Sequence, residues 1–325
     1  MNTNIRVLLF TIATSSISIA QDAAKVQSRI DGTQTAQPAP VSGQVGSGQA
    51  ASGTDAAESD TGAQRPISLR KGGIAGYFGY DTKYFYRSNP LSQEGDLKQF
   101  KTAMWTNTFF TGAGIGIIEA DNSVITPYIG ASWTINDYIE DNLSAFNHND
   151  TSAYALLLAQ YGNGWAARIG VSYSNSRSTE FDTEDFNEIF PNIGVMKSFS
   201  VNDQTIAIFD AYLGQHSTTI AAISGLIEED GLDNFEIAAS YGLKYTEGAL
   251  SVSPKYLISY KTFENGANAD RNDFSHIFSL KGNYLINDAF DLGVFGTYTL
   301  RDSDVDINDY KNLDGGVGVT LNARF

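Results

Sequence analysis

The connections between the predicted strands alternate between long and short, and this alternation restricts the fold more than any other feature of the sequence. From Gly72 onward, aromatic and β-branched residues recur at every second position, which is typical of antiparallel strands rather than helices. The long connections, which are rich in acidic residues, cover 88–101, 141–150, 179–190, 219–233, 264–273 and 303–314. The short connections cover 119–123, 163–164, 202–203, 247–248 and 287–288. A soluble sandwich has no reason to sort its connections by length in this way, whereas a barrel between two compartments does.

The pattern predicts an all-β fold, namely a transmembrane antiparallel up-and-down β-barrel of about twelve strands, within a range of about ten to fourteen. An even number of strands places the first and last strand ends on the side of the short turns. The predicted strands cover 72–87, 102–117, 124–140, 151–162, 165–178, 191–201, 204–218, 234–246, 250–263, 274–286, 290–302 and 315–325.

Composition excludes several classes of function. The chain of 325 residues contains no Cys, so neither a disulfide nor a thiolate metal site nor a cysteine nucleophile is available. It carries 37 acidic and 21 basic residues, and the net charge of −16 argues against a nucleic-acid partner, which needs a basic surface. No run of about 18 apolar residues could form a membrane-spanning helix. We therefore expect insertion into a membrane by strands, and we expect no cofactor.

The N-terminal part of the chain differs from the strands in composition. Residues 1–20 are predicted to be a secretory signal peptide, with Arg6 before a short apolar core and small residues before the expected cleavage position. Residues 21–70 contain few large apolar side chains and are predicted to be a disordered periplasmic tether. The alternative is a segment that binds another periplasmic component. Residues 71–325 form the predicted barrel.

The sequence from Gly315 onward, GGVGVTLNARF, has an apolar and a polar face throughout. It resembles the closing strand of Gram-negative outer-membrane β-barrels, in which a terminal aromatic such as Phe325 is an insertion signal. Ala323 departs from that pattern, because the family often has a second aromatic there. The segment 80–87, YDTKYFYR, is also similar to the first strand of some porin families. The resemblance implies a location in the cell outer membrane, with outer-membrane lipid, lipopolysaccharide and the barrel insertion machinery as partners.

Alternation along the strands also predicts which charged side chains face the lumen. The inward acids are Asp81, Asp210, Glu236 and Asp291, and the inward bases are Lys83, Arg87, Arg168, Lys244, Lys255, Lys261, Lys281, Arg301 and Arg324. Lys244, Lys255 and Lys281 lie on three consecutive predicted strands, close to the short turns, so we expect them to form one basic patch. We predict a pore-lining basic patch of Lys83, Arg168, Lys244, Lys255, Lys281 and Arg324.

Such a patch in a narrow pore favours anions. The sequence therefore predicts a channel for passive diffusion of small hydrophilic solutes, with a basic lining that suits anionic ones. The alternative is that the charges pair across the lumen, which would make a closed structural or surface-interaction barrel with acidic loops.

Two chemical motifs are weak. Acids at Asp302, Asp304, Asp306 and Asp309 resemble the start of a calcium loop, but Ile307 and Leu313 stand where such a loop needs Gly and Glu. This segment is a hypothetical divalent-ion loop, and a solvated acidic loop is the alternative.

The second weak motif is the adjacent pair His216 and Ser217, within QHSTT, which faintly resembles the His and Ser of outer-membrane lipases and deacylases. Adjacent residues in a strand point to opposite faces, so the two side chains cannot act as base and nucleophile without a bulge. We therefore predict that the protein is not an enzyme.

Overall fold

The computed structural model describes residues 73–90, 101–180, 184–220 and 229–324. The predicted signal peptide, the predicted tether and the predicted insertion signal at Phe325 lie outside these described residues.

The described chain consists almost entirely of strands, and twelve of them are long. The strands are β1 (Ile74–Arg87), β2 (Thr102–Ile115), β3 (Ile118–Ala120), β4 (Ser123–Tyr138), β5 (His148–Tyr161), β6 (Trp165–Ser178), β7 (Glu184–Ser200), β8 (Thr205–Ile220), β9 (Asn234–Glu247), β10 (Leu250–Phe263), β11 (Asn272–Asn287), β12 (Phe290–Ser303) and β13 (Tyr310–Arg324). The remaining strand, β3, is short and has three residues. In the described part, no helix is both long and apolar enough to cross a membrane.

The twelve long strands close into a barrel. Each pairs antiparallel with its neighbours in sequence, β2 pairs with β4, and β1 pairs with β13 from Tyr77↔Arg324 to Arg87↔Asp314. Every long strand therefore has a partner on both sides, and closure leaves no strand edge unpaired. This confirms the predicted up-and-down barrel of twelve strands.

The twelve strands define two ends of the barrel, which we call the short-turn end and the loop end. At the short-turn end, β5–β6, β9–β10 and β11–β12 are joined by two or three residues each, and Gly164 and Gly248 adopt positive φ angles in these turns. At the loop end, short 3₁₀ turns occur at Asp141–Phe146, Gly266–Asn268 and Asp306–Asn308. The predicted alternation of connection lengths is thus present in the fold.

One prediction of strand bounds fails at the first short turn. The sequence predicts one continuous strand over 102–117, but β2 ends at Ile115 and the pairing resumes at β3. The register passes from Gly114↔Tyr128 to Ile118↔Ile125, so the segment from β2 to β3 has one residue more than the facing part of β4. Gly116, with φ of 67°, lies in this bulge.

Three further strands begin earlier than predicted and extend into the predicted long connections. β5 begins at His148 instead of 151, β7 at Glu184 instead of 191, and β13 at Tyr310 instead of 315. The opening residues of these strands are polar at outward positions, such as Asn149, Asn187 and Lys311, so they lack the apolar alternation that marks the rest. Backbone pairing with the preceding strand nevertheless continues through them.

The outward face of the barrel is apolar. Large hydrophobic side chains on this face are exposed around the whole ring, and examples are Phe109, Ile129, Leu157, Ile169, Ile193, Ile237, Leu280, Val294 and Val317. Tyr84, Tyr86 and Trp105 are exposed near the loop end, whereas Tyr161 and Trp165 are exposed at the short-turn end. An apolar belt between two aromatic girdles is what a lipid-facing barrel surface requires. The fold is therefore that of a membrane-spanning β-barrel.

Loop residues pack onto inward-facing side chains at the loop end. Leu143, in the 3₁₀ turn after β4, is buried against Phe85, Met104 and Tyr138. A second apolar cluster joins Phe186, Ile220, Leu232 and Phe263. These contacts fasten the connections to the barrel wall at its loop end.

Candidate functional site in the barrel lumen

The lumen contains charged side chains of both signs, and the two signs differ in exposure. Seven inward-facing acids are 7% exposed or less, and they are Asp81, Glu188, Asp210, Glu236, Asp273, Asp291 and Asp314. Five inward-facing lysines are only partly buried, and they are Lys83, Lys244, Lys255, Lys261 and Lys281. The charge that these two groups leave accessible is therefore positive.

Three of these lysines form one surface, which we call the lysine wall: Lys244 on β9, Lys255 on β10 and Lys281 on β11. Lys255 is opposite Gly242 on one side and Ser279 on the other, and Lys281 is opposite Ser253. Lys244, Lys255 and Lys281 lie three, five and six residues from the short-turn ends of their strands. The strand register thus brings together the three lysines that the sequence singles out.

Lys83 lies next to the lysine wall, through Phe295. Its Nζ is 5.2 Å from the centroid of the Phe295 ring, and Phe295 is the register partner of Lys281. Such a contact holds an ammonium group over the face of the ring. Lys83 therefore extends the lysine wall across β12 to β1.

Arg168 and Arg324, the other two residues of the predicted patch, do not join the lysine wall in the described structure. The Arg168 guanidinium on β6 makes a two-pronged ion pair with Asp210 on β8, and its Nη2 donates to Oδ1 over 3.0 Å. Because the Asp210 carboxylate carries the opposite charge and contacts the guanidinium through both of its oxygens, it largely neutralises Arg168. The side chain of Arg324 lies outside the described part.

A buried network in the loop-end half centres on His216, and we call it the His216 network. His216 Nδ1 lies 3.1 Å from Glu188 Oε2, and Nε2 lies 3.0 Å from Glu236 Oε2. The ring is fully buried and stacks on Phe190, with centroids 3.9 Å apart. Carboxylates only accept hydrogen bonds, so both contacts are attractive only when both ring nitrogens carry hydrogen. Nε2 is hydrogen-bonded to Glu236 on β9, whereas Nδ1 lies within ion-pair distance of Glu188 on β7 without hydrogen-bond geometry.

The neighbouring Ser217 points away from this network. It is exposed on the outward face, whereas His216 is buried on the inward face. The two side chains thus lie on opposite faces of β8, as strand alternation predicts.

A second set of ion pairs lies at the loop end between β10 and β1. Arg271 Nη2 is 3.0 Å from Asp273 Oδ2, and Arg301 Nε donates to the Asn308 carbonyl over 2.8 Å. Arg87 grips Asp314 through two contacts, Nε to Oδ1 at 3.0 Å and Nη2 to Oδ2 at 2.8 Å. The Arg87–Asp314 pair joins β1 to β13 at the seam of the barrel.

Sequence reasoning missed several members of these networks. Glu188 and Asp314 fall within connections that the sequence predicts to be long loops, although the structure places them in β7 and β13. The signal that could have found them is the inward spacing itself. Glu188 is eight residues before Met196, and Asp314 is six residues before Thr320, so both continue the inward face by steps of two.

Apolar side chains line the lumen at the short-turn end, opposite in character to the lysines. Tyr128 on β4 and Leu158 on β5 face inward and are 1% exposed. They belong to a cluster with buried members Tyr77, Ala166, Met196 and Ile208, and with partly buried members Ala75, Phe110, Ile117, Tyr154, Leu156 and Ile206. At this level the inner faces of β1 to β8 are therefore rich in apolar side chains, and the largely buried Arg168–Asp210 ion pair lies among them.

The acidic segment after β12 is hydrogen-bonded into the loop end. Asp304 accepts from the backbone N–H and the side-chain amide of Asn272, both at 3.0 Å, and these bonds hold the pKa of Asp304 below its ordinary value of 3.8. Asp309 accepts from the backbone N–H of Ser303 at 2.6 Å. Asp302 lies at an outward strand position opposite Phe274, and Asp306 begins a 3₁₀ turn.

Within the described ranges, no three His, Cys, Asp or Glu side chains are grouped so that they could hold a metal ion. Divalent-ion binding by Asp302, Asp304, Asp306 and Asp309 stays a prediction from their spacing in the sequence.

Comparison with known proteins gives similarity of fold only. No protein-family model and no curated protein sequence matches the chain. Among solved structures, it is similar to the COG4313 outer membrane channel from Pseudomonas putida F1, with 10% identity, 79% of this chain and 97% of that chain covered, and a TM-score of 0.47. It is also similar to the NanC porin, with 10% identity, 74% and 98% covered, and a TM-score of 0.42. A KdgM porin in complex with disordered oligogalacturonate has 11% identity, 75% and 98% covered, and a TM-score of 0.38.

Proposed function

We propose that the barrel is an outer-membrane channel for passive diffusion of small hydrophilic solutes and that it favours anions. The observation that carries this proposal is the difference in exposure inside the lumen. Lys83, Lys244, Lys255 and Lys281 are partly exposed, whereas seven inward acids are buried. A permeating ion therefore meets lysines rather than carboxylates, and a low-dielectric barrel wall strengthens the resulting potential.

The test is the reversal potential of single channels in a planar bilayer under a KCl gradient. We expect the wild-type reversal potential to lie on the chloride side. The triple change Lys244→Glu, Lys255→Glu and Lys281→Glu should move it toward the potassium side, because it reverses the charge of the lysine wall.

Lys311 provides a matched control, because it is exposed on the outward face of β13. Lys311→Glu makes the same charge change outside the lumen and should leave the reversal potential nearly as in wild type. An unchanged reversal potential in the triple variant would contradict the role of the lysine wall.

We also propose that the short-turn end faces the periplasm and the loop end faces the outside, as is general for outer-membrane barrels. The tether of residues 21–70 would then lie in the periplasm, and the loop end would contact lipopolysaccharide. Because the chain has no Cys, a single introduced cysteine is a unique label. On intact cells, a membrane-impermeant maleimide should label Asp306→Cys in a loop and spare Gln204→Cys in a short turn.

A second candidate function is a closed structural or surface-interaction barrel. The observation that favours it is the burial of Tyr128 and Leu158, which face inward and yet are only 1% exposed. Single-channel recordings separate the two candidates. Discrete conductance steps indicate a pore. No current from barrels that have inserted into the bilayer indicates a closed scaffold.

A further inference from the structure

The lysine wall and the apolar lining face each other across the lumen. In a ring of twelve long strands, the strand six places further on lies on the opposite side. By the observed strand order, β9, β10 and β11 lie across from β2, β4 and β5. Lys244, Lys255 and Lys281 therefore face the side of the lumen that carries Phe110, Tyr128, Leu156 and Leu158. We call these four residues the apolar wall.

The two walls lie at a similar depth. Phe110, Tyr128 and Leu156 are each five residues from the short-turn ends of their strands, and Leu158 is three. The lysines are three to six residues from the same end. This part of the lumen thus has a cationic side and an apolar side.

An apolar inner wall is not what a channel for purely hydrophilic solutes requires. The lumen of a water-filled barrel is polar, because apolar surface facing water costs free energy. Phe110 and Leu156 are only partly buried and face inward, so their accessible surface is turned to the lumen. A ligand that covers this surface and also carries negative charge would satisfy both walls.

We propose that the short-turn half of the lumen binds an amphiphilic anion, with its hydrocarbon part on the apolar wall and its carboxylate at the lysine wall. The proposal rests on the proposed channel function and narrows the class of solute. Charge complementarity selects the anion, because the inward acids near this level, Asp81 and Asp291, are buried while the lysines are accessible. Apolar contact then selects for chain length.

The test uses straight-chain carboxylates as probes. Hexanoate, octanoate and decanoate are added to wild-type channels carrying chloride current, and the concentration that blocks half of the current is measured. Burial of one CH₂ is worth up to about a fourfold change in affinity. We expect the blocking concentration to fall by about twofold to fourfold per added CH₂. Decyltrimethylammonium, which has the same chain length as decanoate and the opposite charge, should not block at the same concentrations.

Variants assign the two parts of the ligand to the two walls. Leu156→Ser should flatten the dependence on chain length, whereas Lys244→Gln should weaken block by all three carboxylates by a similar factor, about threefold to tenfold. Leu157 is the adjacent residue and is exposed on the outward face, so Leu157→Ser is the matched control and should leave block unchanged.

Direct binding separates this proposal from the proposed channel function. Equilibrium dialysis of labelled decanoate against the full chain in amphipols needs no current. Binding of decanoate that decyltrimethylammonium does not match supports the proposal even if the barrel is silent in bilayers. Chloride current without any chain-length dependence, or equal block and equal binding by the two ten-carbon probes, would overturn the amphiphile proposal and leave the anion channel standing.

Discussion

The His216 network and the lysine wall use charged side chains in opposite ways. At the loop end, His216 lies between Glu188 and Glu236, with both contacts within 3.1 Å. In the short-turn half, Lys244 and Lys255 are partly exposed. Depth along a strand does not decide this difference, because Arg168 and Asp210 form a largely buried ion pair three and five residues from the short-turn ends of β6 and β8.

The comparison also explains how a strongly acidic chain can present a basic lumen. Carboxylates that are buried with arginine or histidine partners are compensated locally, so they contribute little to the potential that a solute meets. The exposure of each inward charge, and not only its sign, therefore enters the proposed selectivity.

The largest expected effect is on stability, from breaking the His216 network. Glu236→Ala leaves the His216 ring with one carboxylate partner in a buried position, and we expect a loss of about 3 to 5 kcal/mol in the free energy of unfolding. Urea unfolding in lipid vesicles, followed by tryptophan fluorescence, measures it. Ser217→Ala, on the other face of β8, is the control and should change the value by about 0.5 kcal/mol or less. A loss below about 1 kcal/mol for Glu236→Ala would show that the His216 network contributes little to the stability of the barrel.

The Arg168–Asp210 pair should show strong coupling. Asp210→Leu alone leaves the Arg168 guanidinium without its carboxylate and should cost about 3 kcal/mol. The double change Arg168→Leu with Asp210→Leu removes both charges and should cost less than the sum of the two single changes. A double-mutant cycle on the same unfolding measurement tests this. Simple additivity would mean that the two side chains do not stabilise each other.

The lysine wall should show the reverse behaviour, with little effect on stability. Lys281→Gln should change the free energy of unfolding by about 0.5 kcal/mol or less, because substitutions at partly exposed positions usually have small effects. The same variant should lower the anion preference measured from the reversal potential. A large loss of stability would place Lys281 in a structural network instead.

The smallest expected effect concerns Asp304 at the loop end. The Asn272 hydrogen bonds lower the pKa of Asp304, so they favour the charged carboxylate in the folded loop. Their contribution to stability is present above the ordinary pKa of 3.8 and is lost as the pH falls through the lowered value. Carboxyl titration by NMR should show Asp304 titrating closer to its ordinary value in Asn272→Ala, and Asp304→Asn identifies the signal. Identical titration in both proteins would exclude the Asn272 side-chain amide as a cause and leave its backbone N–H, which the Ala variant keeps.

Much of the fold follows from the sequence, because a membrane-spanning strand needs an apolar residue at every second position, where the side chain faces lipid. Ile169, Val171 and Tyr173 mark β6 in this way without any knowledge of its neighbours. The opening residues of β5, β7 and β13 escape prediction because their outward residues, such as Asn149, Asn187 and Lys311, are polar and resemble a loop. Their strand conformation comes from pairing with the preceding strand, which hydropathy does not record.

The candidate site was predicted only in part, for a related reason. Alternation places Lys244, Lys255 and Lys281 on one face, and the register confirms that they are neighbours. It also places both Arg168 and Asp210 inward, but it does not pair them, because they are 42 residues apart in sequence. Ion pairing depends on the register of strands across the ring, so it requires the structure.

The pairing of β1 with β13 has a consequence for how the chain reaches its membrane. Arg87 and Asp314 are 227 residues apart in sequence, and they meet only when the seam forms. Until then, the first and last strands each expose an open hydrogen-bonding edge and an apolar flank, which favours aggregation. Such a non-local contact also slows assembly, because the entropy cost of closing a large loop comes before the contact forms. Closure of the seam is therefore the step that pairs both of these edges, from Tyr77↔Arg324 to Arg87↔Asp314.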